Sequence, residues 1–158
     1  MNYKVKTNIK NHLKLQNKIT RKLWPEFMLH DSVSNKYWSK LYELFPDYQF
    51  SLFKDDEIIG IANCLPFYWD KQFSELPETG WDWVLEKGIN DKKKGKETNI
   101  LNGLQIAVNP RYQGHGFSSQ ILKEMFKLAA RKGLSHITIP VRPSLKKQIS
   151  INFNKQIY

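Results

Sequence analysis

Residues Ile106-Ala107-Val108-Asn109-Pro110-Arg111-Tyr112-Gln113-Gly114-His115-Gly116-Phe117-Ser118 combine the residue types that bind an anion through the main chain. Gly114 and Gly116 lack a Cβ, so the chain can turn through positive φ there and a negative group can approach the backbone closely. A helix starting just after them aims its unpaired N–H groups, and the positive end of its dipole, at the same point. Arg111 adds a cationic donor at the loop entrance, and Ser118 adds a hydroxyl in the first helical turn. Such a site has the size of a pyrophosphate. Glycines serving turn geometry alone would give the same spacing, and that reading stays open at this point.

Two common phosphate loops do not fit. No glycine is followed four residues later by Gly-Lys-Ser/Thr, so the Walker pattern is missing. Gly114-His115-Gly116 is followed by Phe117, Ser118 and Ser119, which removes the third glycine of the dinucleotide fingerprint. What remains is Arg-x-x-Gly-x-Gly after a hydrophobic run ending in Val108-Asn109-Pro110. This resembles motif A of the GNAT acyltransferases, Gln/Arg-x-x-Gly-x-Gly/Ala preceded by a strand ending in Val-x-Pro. The likeness is specific from Leu104 to Leu134 and looser from Tyr48 to Asn63.

The resemblance implies an acetyltransferase that moves an acetyl group directly from acetyl-CoA to an amine of a small molecule or peptide. It implies Gln113, Gly114, His115, Gly116, Phe117 and Ser118 around the pyrophosphate, with Arg111 at the entrance and Ile106, Ala107 and Val108 along the pantetheine arm. It also implies an α/β fold of the α+β type: a mixed, mostly antiparallel central sheet flanked by helices, here with the C-terminal strands missing.

The elements that must position these residues follow from periodicity. Leu104, Ile106 and Val108 alternate as in a half-buried strand that Pro110 ends. Phe117, Ile121, Leu122, Met125, Phe126, Leu128 and Ala129 recur at helical spacing, with Gly133 as the stop. Upstream, Tyr3 to Thr7 reads as a strand, Leu13 to Trp24 as a helix closed by Pro25, and Lys36 to Phe45 as a helix closed by Pro46. Tyr48 to Lys54 and Glu57 to Leu65 form a hairpin around Asp55-Asp56, with Phe50, Leu52, Ile58, Ile59 and Ile61 facing inward. Ser135 to Val141 is a fifth strand, which in the family splays from the fourth.

Composition sets the outer bounds. The 158 residues suit one domain, 1–158, with 41% hydrophobic and 25% charged residues. No apolar run reaches a membrane-spanning length and no signal-like core opens the chain, so a cytoplasmic protein without membrane contact is expected. Cys64 is the single cysteine and is expected to be a small buried hydrophobe; His12, His30, His115 and His136 lack ligand spacing, so no metal is expected. The net charge of +10 raises a basic nucleic-acid-binding module as an alternative. The basic residues are spread along the chain, however, and the run Lys92-Lys93-Lys94-Gly95-Lys96 reads as a solvated loop. A positive surface also steers a polyanionic coenzyme.

Residues 66–97 form an aromatic-rich insert, with Phe67, Tyr68, Trp69, Phe73, Trp81 and Trp83, and a helix is expected from Gly80 to Lys87. These aromatics either wall an acceptor pocket or pack as core. For the chemistry, the Val108 backbone N–H is the expected polariser of the thioester carbonyl. Glu97 and Asp82 are the candidate general bases, since Asn102 and Gln105 do not titrate. A leaving-group tyrosine has no match except Tyr158 at the terminus. Leu145 to Tyr158 is an atypical tail without Gly, Ala, Val, Pro, Asp or Glu, which reads as a truncation or frameshift. On that reading the protein is a catalytically impaired CoA-binding remnant, and an exposed fifth-strand edge favours homo-oligomers.

Overall fold

The computed structural model describes residues 2–21, 23–24 and 30–140. In chain order it contains β1 (Lys4–Thr7), α1 (His12–Thr20), α2 (Ser32–Leu44), β2 (Gln49–Lys54), β3 (Glu57–Phe67), α3 (Trp81–Lys93), β4 (Ile100–Val108), α4 (Phe117–Arg131) and β5 (His136–Thr138). The five strands form one sheet in the order β1-β2-β3-β4-β5. Neighbours from β1 to β4 are antiparallel, and β4 and β5 are parallel. The expected mixed, mostly antiparallel sheet with flanking helices is therefore present.

Asp55 and Asp56 both take positive φ, 46° and 64°, the geometry of a tight hairpin turn matched to strand twist. The five inward candidates of this hairpin are all buried. Helix α2 begins four residues earlier than its apolar pattern suggests because Asp31 caps it, accepting the Ser34 N–H at 2.6 Å. Helix α3 runs on past Lys87 and takes Lys92 and Lys93 into its last turn, where cations meet the negative end of the dipole. The expected solvated loop therefore starts later, and Gly95, at φ 63°, turns the chain out of the helix. Helix α4 stops as expected: Gly133 sits at φ 69°, and Leu134 N–H reaches back to Ala129 O at 3.0 Å.

The sheet separates two packed layers. On one face α4 places Phe117, Ile121, Met125 and Leu128 on Phe50, Leu52, Ile59, Ala62 and Leu101. On the other, α2 and α3 place Leu41, Val84, Leu85 and Ile89 on Leu65, Phe67, Ile100 and Leu104, while Leu15 and Ile19 of α1 cover Ile61 and Ala107. The insert joins this second layer. Phe67 is fully buried, and Trp83 meets Phe67 and Trp69 edge-on at 5.8 and 5.4 Å between centroids.

Strand β5 is shorter than expected and pairs with β4 only over Ile100–His136, Leu101–Ile137 and Asn102–Thr138. Pro25, Val141, Arg142-Pro143-Ser144, the tail 145–158 and Tyr158 lie outside the described residues. No helix among the described residues is long and apolar enough to cross a membrane.

Candidate functional site

The glycine loop sits at the junction of β4 and α4. A short 3₁₀ turn, Pro110–Tyr112, leads into it, and Asn109 fixes the turn by accepting the Arg111 N–H at 3.2 Å and donating to Ile58 O at 3.0 Å. Gly114 and Gly116 take φ 77° and 75°, the left-handed region that the absence of Cβ makes accessible. Gly116 is the N-cap of α4 and has no side chain to occupy the helix terminus. Among the described residues, the backbone N–H groups from Gly114 to Ser119 donate to no other group. Gly114, His115, Gly116 and Ser118 are exposed, so these donors face outward.

The side chains around the loop divide by role. Phe117 is buried and meets Tyr112 edge-on at 6.0 Å, which makes it the anchor of the helix start. Gln113 Nε2 donates to Val108 O at 3.3 Å, and His115 Nδ1 lies 2.9 Å from Gln113 O. Arg111, expected at the loop entrance, is instead turned onto β3: its guanidinium donates to both Glu57 oxygens at 3.3 and 3.4 Å. Tyr112 also donates to Glu57, at 2.7 Å. That phenol, and then the Arg111 charge, hold the Glu57 carboxyl below its usual range.

Strand β4 supplies a second set of backbone groups without a partner among the described residues. Asn109 N–H donates to Ile59 O, and Val108 stands opposite Gly60. Backbone groups alternate in direction along an antiparallel pair, so Val108 and Ile106 aim their N–H and C=O away from β3. On that side β5 has already departed after Thr138. The register also contains a bulge: Asn63 faces Gln105 and Cys64 faces Gly103, leaving Leu104 as the extra residue. Trp81 Nε1 donates to the Leu104 carbonyl at 2.9 Å, and the Trp81 ring stacks on Trp38 at 5.9 Å and 21°.

At the β4–β5 fork lies a cleft of about 190 Å³ whose lining includes Phe67, Leu76, Trp83, Val84, Asn102 and Thr138. Part of the insert thus packs as core and part walls this cleft. Asn102 Nδ2 donates to Thr138 Oγ1 at 2.8 Å, and its buried Oδ1 has no partner among the described residues. Asp82, in the first turn of α3, follows Trp81 directly; burial, then the neighbouring Asp31 and Glu86 charges, push its carboxyl above the usual value. Glu97 is exposed on the link that precedes β4. The strand itself rises roughly 25 Å from Ile100 to Val108, so Glu97 and Val108 stand at opposite ends.

Two buried groups are removed from nucleophilic or basic work. Cys64 is fully buried, and burial pushes its thiol far up. His12 lies under the sheet, 2.8 Å from Ser51 Oγ and 3.0 Å from Gln16 Nε2, and burial lowers its pKa to about 4. Sequence reasoning missed the Trp81, Gln113 and Glu57 contacts. Only for Gln113, five residues from Val108, was there a local signal.

Known proteins resemble this chain in family and fold. Residues 13–153 match the model of the acetyltransferase (GNAT) family. The chain is 28% identical over 136 residues to an arginine N-acetyltransferase, avaD, of Aspergillus versicolor, covering 80% of this chain but only 46% of that protein. This chain thus spans about half the length of that relative. Among solved structures, the loading GNATL domain of CurA from Lyngbya majuscula superposes with a TM-score of 0.68 at 16% identity, over 95% of this chain and 70% of that one. AAC(6')-Iy, solved with a bisubstrate analogue of coenzyme A and acetylneamine, gives 0.60 at 14% identity over 100% and 96%. At such identities the structures speak for the fold, and the family match over most of the sequence decides the rest: the chain belongs to the GNAT acetyltransferase family.

Proposed function

We propose that the chain transfers an acetyl group from acetyl-CoA directly to an amine. The observation that carries this reading is the run of backbone N–H groups from Gly114 to Ser119, free among the described residues, beside the edge of β4 that those residues leave open. When bound, the donor supplies an activated thioester. The loop N–H groups and the α4 dipole hold its pyrophosphate, and the net charge of +10 draws the polyanion in. Ile106 and Val108 present edge N–H groups to the amide-bearing arm and to the acyl carbonyl. Of the two, Ile106 is the better polariser, since it lies further from the pyrophosphate loop, and a fixed donor aimed at the developing oxyanion lowers the barrier.

In the reaction the amine nitrogen forms the new C–N bond at the carbonyl carbon as the C–S bond breaks. The amine loses a proton and the coenzyme A thiolate gains one. Asp82 is the better placed of the two candidate bases, because its raised pKa favours proton uptake and it adjoins the residue that reaches β4. The fork cleft receives the acceptor. The avaD relative makes arginine the first amine to try, and AAC(6')-Iy makes amino sugars the second.

Calorimetric titration with acetyl-CoA tests the reading before any acceptor is known. Saturable binding that weakens at least tenfold in Gly116→Glu supports it, because the new carboxylate stands where the pyrophosphate belongs. Equal binding by wild type and Gly116→Glu, or none by wild type, rejects it.

A further inference from the structure

A bulge releases its extra residue from the ladder, so another contact must fix that peptide. In β4 the extra residue is Leu104, and the contact is Trp81 Nε1, which donates to the Leu104 carbonyl at 2.9 Å. Trp81 is itself well held. It opens α3 directly after Gly80, at φ 48°, and its ring stacks on Trp38 of α2. Gln113 makes the matching contact at the other end of the strand, on the Val108 carbonyl.

These two caps bracket a window. The Leu104 and Val108 carbonyls are occupied, so the edge between them, open among the described residues, presents the Ile106 N–H and C=O and the Val108 N–H. The peptide unit is planar and trans, so fixing the Leu104 carbonyl toward Trp81 turns the Gln105 N–H toward β3 and the next N–H, that of Ile106, outward. Released, the Leu104 carbonyl could turn into the edge and set its negative end against an acyl carbonyl oxygen.

We propose that Trp81 is a positioning residue for acyl transfer: its indole N–H, through the Leu104 carbonyl, fixes the register in which the Ile106 N–H meets the acyl carbonyl. This role rests on the acetyl-CoA reading above and assigns a duty within it to the aromatic insert.

The test uses acetyl-CoA carrying ¹³C at the thioester carbonyl, with isotope-edited infrared spectra of the bound state. Trp81→Phe keeps a ring against Trp38 and removes the donor, while Trp38→Phe keeps the donor and alters the stack. In wild type the bound carbonyl band is expected below that of free acetyl-CoA. Trp81→Phe should lose at least half of this shift with Kd within threefold of wild type, and Trp38→Phe should keep it. A full shift in Trp81→Phe, or a parallel loss in both variants together with melting temperature, overturns the proposal. An unshifted band in wild type that does bind overturns it alone, whereas absent wild-type binding removes the acetyl-CoA reading first and this role with it. A further check needs no variant to fold: the Trp81 indole N–H should shift in NMR spectra on addition of acetyl-CoA, and an unmoved resonance counts against the role.

Discussion

Arg111 and Glu57, 54 positions apart, clasp the end of β4 to the start of β3, the guanidinium donating to both carboxylate oxygens at 3.3 and 3.4 Å. A residue whose position in the motif suggests phosphate contact thus braces the turn beneath the loop. Arg111→Ala should therefore weaken acetyl-CoA binding less than threefold. Because the pair is exposed, its loss should leave the melting temperature nearly unchanged. A tenfold loss of affinity by calorimetry would show that Arg111 serves the anion directly.

Asp82 carries a carboxyl raised by burial and by the Asp31 and Glu86 charges. With an amine that turns over, Asp82→Asn should lower kcat at least tenfold and leave the KM for acetyl-CoA within threefold. The acid limb of the wild-type pH profile should lie above the usual aspartate value and vanish in the variant. Unchanged kcat would free Asp82 from the base role.

His12 links pH to folding. Its folded pKa of about 4 lies below the unfolded value of 6.5, so the unfolded chain binds the proton more readily. Stability from this group is complete above pH 6.5 and falls as the pH drops toward 4, by about 3 kcal/mol. Urea unfolding at pH 7 and pH 4.5 should show the fall, and His12→Gln should flatten it. An equal pH slope in both proteins would exclude His12 as its source.

Gly88 allows α3 to lie close on β3. A Cβ there would come within 2.1 Å of a Leu65 methyl, and Leu65 is fully buried. Gly88→Ala should destabilise by about 1–3 kcal/mol through overpacking, even though alanine is the better helix former. Pairing it with Leu65→Ala should recover part of that loss in a thermal melt. A Gly88→Ala protein as stable as wild type would contradict the packing.

Cys64 should resist a thiol reagent in the native protein and react once per chain after denaturation, because it is buried with its thiol pushed far up. Fast native labelling would show that β3 opens readily.

What the sequence made legible was local. The alternation from Leu104 to Val108, the glycines after Pro110 and the apolar spacing from Phe117 to Ala129 each report on a few neighbouring residues, and β4, the loop and α4 are where they indicate. The length of α3 was hidden because Gly88 and the lysine run argue locally against helix, while Val84, Leu85 and Ile89 gain their burial from β3 and β4. The contact between Trp81 and Leu104 spans 23 positions. Neither it nor the Arg111–Glu57 clasp leaves a trace in local periodicity. The early end of β5 depends likewise on sheet geometry, and it is this ending that leaves β4 partly unpaired among the described residues.

On the proposed acetyl-CoA reading, that incomplete pairing would tie coenzyme occupancy to the thermodynamics of folding. An arm that lies along the bare edge acts as a short substitute strand present only in the folded state, so by mass action it holds the sheet together. At a hundredfold excess over Kd this linkage amounts to about 2.7 kcal/mol. A cell's acetyl-CoA level would then govern how long the protein survives proteolysis as well as how fast it works.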